Sequence, residues 1–250
     1  MRTALFDSGS SRLHVAWWND GSLTGAAAAL YPDTPGQLQR IIADLLGSGD
    51  PELIAACSVS STWREPLFAI LREHAPGKFV VARNAADLGV SVVYDDPGTY
   101  GIDRALAAYG AHQMLHDACV VVDAGTALTI DAVGSDGTVL GGYIFPGLDM
   151  LAGALSSRTD LPEIIVHDSG EKLGHSTVSC IANGVTGGFS AVVNRLVSLA
   201  REVVGSGSMV VVTGGSADMV RQFLHIPVEY RPHLVLEGLG MISHRLPAYE

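Results

Sequence analysis

The sequence predicts an α/β protein built from two similar halves, and three observations carry that expectation. A strand-and-turn pattern occurs twice, strands and helices alternate around both copies, and 250 residues are enough to bury two cores. The repeat is the strongest of the three. Leu5-Phe6-Asp7-Ser8-Gly9-Ser10-Ser11 returns as Val121-Val122-Asp123-Ala124-Gly125-Thr126-Ala127, and the turns Asp20-Gly21 and Asp136-Gly137 keep the 116-residue offset that separates Asp7 from Asp123. Each copy reads as a strand ending in Asp-x-Gly, a tight hairpin of small hydroxyl residues, a second strand, an Asp-Gly turn and a third strand.

The elements follow in order. Thr34-Pro35 supplies an N-cap with proline at the first helical position, and Leu38, Ile41, Ile42, Leu45 and Leu46 recur at helical spacing until Gly47. Leu53 to Val59 is a short apolar run suited to a buried strand, Trp63 to His74 a helix, and Phe79 to Ala82 a strand. This alternation predicts a mainly parallel sheet. Beyond the Pro97-Gly98 turn, Ile102 to Leu115 is helical and Cys119 to Val122 opens the second copy. The halves therefore divide near residues 114 to 118, giving expected domains 1–115 and 116–250.

In the second half, Gly141-Gly142-Tyr143-Ile144-Phe145 ends a strand and Leu148 to Leu155 forms a helix. Thr177 to Val204 is one long helix, whose Gly184, Gly187 and Gly188 are expected where helices or chains approach closely. Met209 to Thr213 is a buried strand running into Gly214-Gly215-Ser216 and a further helix.

Composition narrows the function. With 15 Lys+Arg against 26 Asp+Glu, the formal charge of −11 opposes long-range attraction to nucleic acid or an anionic membrane. No unbroken apolar stretch of roughly 20 residues suggests a membrane span. Cys57, Cys119 and Cys180 have neither metal-type spacing nor the even number of a disulfide framework. His14, His112, His116, His167, His175, His225 and His233 form no recognisable ligand pair. With the first strand beginning almost at once, a soluble, cytoplasmic protein is expected.

The paired Asp-x-Gly turns carry the chemistry. Glycine permits close approach, successive N–H groups form an anion nest, and a nearby carboxylate suits a metal that bridges phosphates. Hydroxyls at Ser10, Ser11, Thr126 and Thr129 can donate to phosphate oxygens, and Asp7 and Asp123 can hold Mg²⁺ directly or through water. Asp131 is either a third acidic group or a strand-end residue. Arg12 and His14 face either the phosphates or solvent. Gly214-Gly215 after a strand leaves room for a flat adenine ring or a ribose against bare backbone. A Rossmann dehydrogenase is disfavoured, because no Gly-x-Gly-x-x-Gly follows the first strand.

Together these elements resemble the actin, sugar-kinase and heat-shock ATPase superfamily, which implies two ribonuclease-H-like domains with a nucleotide cleft between them. Within it the chain resembles type III pantothenate kinases. Gly101-Ile102-Asp103-Arg104 is similar to that family's Gly-x-Asp-Arg substrate motif, Asp123 to Asp131 to its second phosphate motif, and Gly141 to Gly147 and Ala154 to Pro162 to further segments in family order. The resemblance implies an ATP-dependent kinase that phosphorylates pantothenate in the first step of coenzyme A synthesis.

By the same resemblance Asp103 is the proton acceptor, and Tyr94, Gly101, Ile102 and Arg104 belong to the pantothenate site. Asp7, Ser8, Gly9, Ser10, Ser11, Arg12, Gly125, Thr126, Gly214 and Gly215 serve ATP. Asp123 matches a residue that binds a monovalent cation, K⁺ or NH₄⁺. Thr177 matches a pantothenate contact donated across a homodimer interface. Read from its own chemistry, Asp103-Arg104 is either an ionised acceptor beside a fixed fork or a helix-terminal pair with Arg104 solvated. The family generally has Asn where Ser10 stands, and losing that amide leaves one shorter hydroxyl. A nucleotide-binding regulatory protein on the same scaffold is the alternative that this departure supports.

Overall fold

The computed structural model describes residues 1–47, 49–75, 77–166 and 172–249; His167 lies outside them. The chain divides into two compact units: Met1–His116 with Gly137–Val139 and His233–Glu250, and Asp117–Asp136 with Leu140–Pro232.

In the first unit β1 (Arg2–Ser8), β2 (Arg12–Asn19) and β3 (Ser22–Leu30) form an antiparallel meander. Short turns between them leave no room for a crossover helix. Helix α1 (Pro35–Leu46) starts at Thr34, whose side chain and that of Gln37 close a capping box. It leads to β4 (Leu53–Ser58), which lies parallel to β1; α2 (Arg64–His74) then leads to β5 (Phe79–Ala82), parallel to β4. The order is β3-β2-β1-β4-β5.

Period-two alternation decides what each face of β1 does. Ala4 and Phe6 join Ile42, Ile54, Leu67 and Leu71 in a core shared with α1 and α2. The opposite side therefore carries Leu5 and Asp7. Helix α3 (Ile102–Leu115) follows short 3₁₀ turns at Ala85–Leu88 and Pro97–Thr99.

The second unit repeats the plan. Strands β6 (Cys119–Ala124) and β7 (Ala127–Val133) pair antiparallel, and β8 (Val139–Pro146) leads to α4 (Leu148–Ser156) and the long α5 (Thr177–Val204). Strand β9 (Met209–Thr213) lies parallel to β6; α6 (Ala217–Phe223) and β10 (Val228–Tyr230) complete the order β10-β9-β6-β7-β8. Val120, Val122, Ile130, Val193, Val197 and Val212 form its core.

Four expectations change. Each sheet is mixed rather than mainly parallel, because the duplicated hairpins supply antiparallel neighbours. The second unit ends at Pro232, not at residue 250: α7 (Leu234–Ile242) packs on α3 and β1, its Gly238 meeting the Leu106 carbonyl and Gly110 where any side chain would separate the helices. Asp131 is no strand-end residue; it lies inside β7, buried, opposite Val121. Outside their own helix backbone and chain neighbours, Gly184, Gly187 and Gly188 have no atom within 4 Å of where a side chain would begin, so among the described residues no other helix of this chain approaches them, and of the two expected approaches only that of a second chain is left.

Candidate active site

The first Asp-x-Gly turn is held from behind. Asp7 is nearly buried at the end of β1, and the parallel register sets Cys57 of β4 beside it. The Cys57 thiol donates to Asp7 Oδ1 at 3.4 Å. Burial, and then the nearby charge of Asp103, push the Asp7 carboxyl up to about 7. Burial also raises the Cys57 thiol well above its ordinary range, which keeps it a neutral donor.

One residue on, Ser8 points inward. Its Oγ meets Tyr31 Oη at 2.7 Å and accepts from Ser58 Oγ at 2.9 Å, while Tyr31 Oη also donates to the Gly9 carbonyl at 3.0 Å. Gly9 N–H to the Arg12 carbonyl, 3.0 Å, closes the turn. Ser8 is thus committed to an internal hydroxyl network, and Ser10, Ser11 and Arg12 are exposed at the turn. His14 is half-buried, with burial and the charges of Arg12 and His233 lowering its pKa.

Asp103 and Arg104 open α3. Gly101 is the residue before the helix, and a side chain there would begin 2.6 Å from Asp103 Oδ1, so glycine makes space for the carboxylate. Asp103 Oδ1 accepts the Arg104 N–H at 2.8 Å. Burial raises the Asp103 carboxyl, and that hydrogen bond and the Arg104 charge pull it back in part.

Arg104 is buried, not solvated as the helix-terminal reading of this pair had it. Its Nη1 donates to Tyr94 Oη at 3.0 Å, and its guanidinium lies 4.5 Å from the centre of the Tyr100 ring, which itself meets Tyr94 edge to face. Two aromatic rings therefore fix a cationic fork next to an acidic group of raised pKa.

The second turn is held by backbone. Asp123 is the last residue but one of β6 and Gly125 and Thr126 follow the strand, with Asp123 half-buried and Thr126 exposed. Gly147 donates its N–H to the Thr126 carbonyl at 3.1 Å and sits so close to the Gly125 and Thr126 carbonyls that no side chain fits. Gly214, with φ +94, presses in the same way on the Asp123 carboxylate and Ala124, and Ser216 N–H to the Ala124 carbonyl ties the β9–α6 loop to the strand end. Gly215 beyond it is exposed. Thr177 is the exposed first residue of α5, whose start is capped by Ser176 with Ser179.

Within the first unit the structure brings Asp7, Asp103, Gly101, Arg104 and Tyr94 into one constellation; within the second it brings Asp123, Gly125, Thr126 and Gly214 together. Cys57, Tyr31, Ser58 and Tyr100 were not singled out in the sequence. Tyr100 was within reach, since it precedes the Gly-x-Asp-Arg motif directly.

The donor set suits Mg²⁺. Among the described residues the charge that meets the Asp7 carboxyl is that of Asp103 and not of a cation, and the Cys57 thiol next to it stays protonated, so carboxylate oxygen is the donor this place offers. Among the described residues no three His, Cys, Asp or Glu side chains converge. A metal held by one or two carboxylates would take its other ligands from phosphate and water. No described helix is long and apolar enough to cross a membrane.

Known proteins bear on this arrangement. A family model for type III pantothenate kinase matches residues 4–199. A type III pantothenate kinase of Alkalilimnicola ehrlichii is 34% identical over 249 residues, 96% of each chain, and one of Dehalococcoides mccartyi is 31% identical over 230 residues, 91% of this chain and 86% of that one. Among solved structures, component A of the (R)-2-hydroxyglutaryl-CoA dehydratase of Acidaminococcus fermentans superposes with a TM-score of 0.58 at 16% identity, covering 98% of this chain and 99% of that one, a likeness of fold alone. With its motifs, its duplicated sheets and relatives matched along almost their whole length, the chain belongs to the type III pantothenate kinase family.

Proposed function

We propose that this chain phosphorylates the terminal hydroxyl of pantothenate with ATP, forming 4′-phosphopantothenate for coenzyme A synthesis, with Asp103 as the proton acceptor. The observation that carries the assignment is the half-buried Asp103 beside the buried Arg104, whose fork is fixed by Tyr94 and Tyr100. A carboxylate of raised pKa accepts a hydroxyl proton more readily than an ordinary one. Arg104, Tyr94, Gly101 and Ile102 bind and orient pantothenate so that its hydroxyl lies against Asp103. Phosphoryl transfer draws most of its acceleration from such positioning and from charges facing the moving phosphoryl group.

Gly9 to Arg12, and Gly125 with Thr126, take the phosphates of ATP, and the bare backbone at Gly214 and Gly215 takes its nucleoside. Asp7 is the Mg²⁺ carboxylate. When bound, Mg²⁺ neutralises phosphate charge and relieves the repulsion between Asp7 and Asp103. Ser8 acts through the network behind the turn. Asp123 holds a monovalent cation, K⁺ or NH₄⁺. The protein works as a cytoplasmic homodimer, with Thr177 serving the partner's pantothenate; the open faces of Gly184, Gly187 and Gly188 on α5 leave room for a second chain.

The test is phosphopantothenate formation by purified protein with ATP, Mg²⁺ and pantothenate, in potassium and then in sodium buffer. Product is expected in potassium, less in sodium, with kcat lowered about 10²- to 10⁴-fold in Asp103→Asn. Full turnover by that variant would remove Asp103 as the base. Sedimentation, and rescue of activity on mixing Asp103→Asn with Thr177→Val chains, test the shared site.

A further inference from the structure

We propose that a hollow at the carboxyl ends of β4 and β5, which shares only Ser58 with the network behind the first turn, binds a small organic anion that carries a carboxylate or a phosphate on a flat or apolar body. The hollow has a volume of about 220 Å³, below the range typical of drug-sized ligands, so it selects a small molecule. Ser58 ends β4, Arg83 follows the last residue of β5, and Arg64 opens α2. Crevices outside the carboxyl ends of strands are where open α/β sheets bind ligands.

Among the described residues neither guanidinium forms an ion pair with a carboxylate; the Asp87 carboxylate accepts the backbone N–H of Arg83 at 2.8 Å. Arg64 Nη2 donates to the Ser58 carbonyl at 3.2 Å, and Arg83 lies over the Tyr249 ring, 5.3 Å from its centre. Tyr249 is fixed in turn, by its N–H to the Phe79 carbonyl at 2.8 Å and by edge-to-face contact with Phe68 and Phe79.

Glu65 stands on the same rim, exposed, yet among the described residues it forms no ion pair with either arginine. A self-neutralising surface cluster would pair them. In a chain with 15 Lys+Arg and 26 Asp+Glu, two guanidinia that line one hollow and, among the described residues, pair with no carboxylate form a local cationic site against a negative background. Each fork can take two oxygens of a carboxylate or phosphate, and Phe68, Val81 and Tyr249 supply an apolar wall for the body of the ligand.

Calorimetric titration of the full chain, with its nucleotide site saturated by a non-hydrolysable ATP analogue, tests the site. The probes are phenyl phosphate and benzoate, with benzyl alcohol as the neutral control. One equivalent of at least one anion is expected to bind, and the alcohol not at all; which anion binds more tightly identifies the head group. Arg83→Ala and Arg64→Ala should each weaken binding about tenfold or more, and Glu65→Gln should strengthen it. Pantothenate phosphorylation should be unchanged in Arg83→Ala, which shows that this variant is folded. Absence of binding by both anions, or binding that both arginine variants leave intact, would overturn the proposal.

Discussion

The two Asp-x-Gly turns descend from one repeated pattern, yet they are buttressed by different chemistry. The same position does the work in each: Tyr31 follows β3, Gly147 follows β8, and they stand 116 residues apart, the offset of the repeat itself. In the first copy the Tyr31 hydroxyl reaches the Gly9 carbonyl. In the second Gly147 brings its backbone against the equivalent Gly125 carbonyl and donates its N–H to that of Thr126. The strand alongside differs in parallel, with Cys57 and Ser58 in the first copy against Thr213 and Gly214 in the second. One turn rests on a buried hydroxyl and thiol network, the other on glycine contacts. A hydrogen-bonded support tolerates small displacements, whereas backbone in contact with backbone does not.

The largest expected effect tests the electrostatic side of this contrast. Asp7 has an ordinary pKa of 3.8 and one of about 7 in the fold. Between these values the folded state binds the proton and the unfolded chain does not. Its contribution to stability is therefore complete below about pH 4 and is lost as pH rises through 7, a fall of about 4 kcal/mol in the ligand-free protein. Melting temperature followed from pH 4.5 to 8.5 should decline, and Mg²⁺ with an ATP analogue should reduce the decline. Asp7→Asn should leave a smaller slope, the sum of a fall due to Asp103, whose pKa is also raised, and an opposing rise due to His14, whose pKa is lowered. A flat profile in the unmodified protein would mean that Asp7 is already neutralised.

Next comes the steric side. Gly147→Ala places a methyl group on the Thr126 and Gly125 carbonyls, and backbone has to move; a loss of about 1–3 kcal/mol is expected. Gly9→Ala meets only the Arg12 carbonyl, at 3.3 Å, and should cost less. Chemical denaturation of the two variants gives the comparison directly. Equal losses would show that the glycine support of the second turn is no stiffer than the first.

Much of this was legible in the sequence because period and spacing act locally. The helices at Ile102–Leu115 and Thr177–Val204 fall where their apolar spacing and flanking residues put them. The duplicated strands follow from the repeat. What sequence could not supply was register and approach. Cys57 is 50 residues from Asp7, and only the β1–β4 pairing sets them side by side. Helix α7 leaves the second unit because Gly238 fits the Leu106 carbonyl on α3, a contact that no local pattern announces. Ser8 comes in through the resemblance alone, among the residues that serve ATP, and only its alternation on β1 shows that its side chain turns inward to Tyr31 and Ser58.

A smaller effect is expected at Tyr31. Tyr31→Phe removes a hydroxyl bonded to both Ser8 and the Gly9 carbonyl while keeping the ring stacked on Trp63 at 5.5 Å. Stability should fall by about 1 kcal/mol, and the KM for ATP should rise several-fold with kcat little changed, since the lost group orients the turn and touches no reacting atom. A fall in kcat with unchanged KM would place the network in the chemical step.

The smallest expected effect is a gain, and it concerns the exposed tip of the first turn. Ser10 stands where the resemblance leads one to expect Asn, and it is exposed, so a larger side chain meets no packed neighbour to displace. Ser10→Asn adds an amide that can both donate and accept at the phosphate turn. One further hydrogen bond to a charged phosphate contributes about 1.5 kcal/mol at best, and water already solvates the site, so the KM for ATP should fall by about three- to tenfold. Melting temperature should stay within the scatter of surface substitutions, because the support of this turn lies behind it, in Tyr31, Ser8 and Ser58, and not at its tip. Thr126→Asn, at the equivalent position of the second turn, is expected to give a smaller gain, because the hydroxyl already there can both donate and accept and the turn behind it is fixed by Gly147. A comparable gain at both positions would show that the two turns meet phosphate alike despite their different supports.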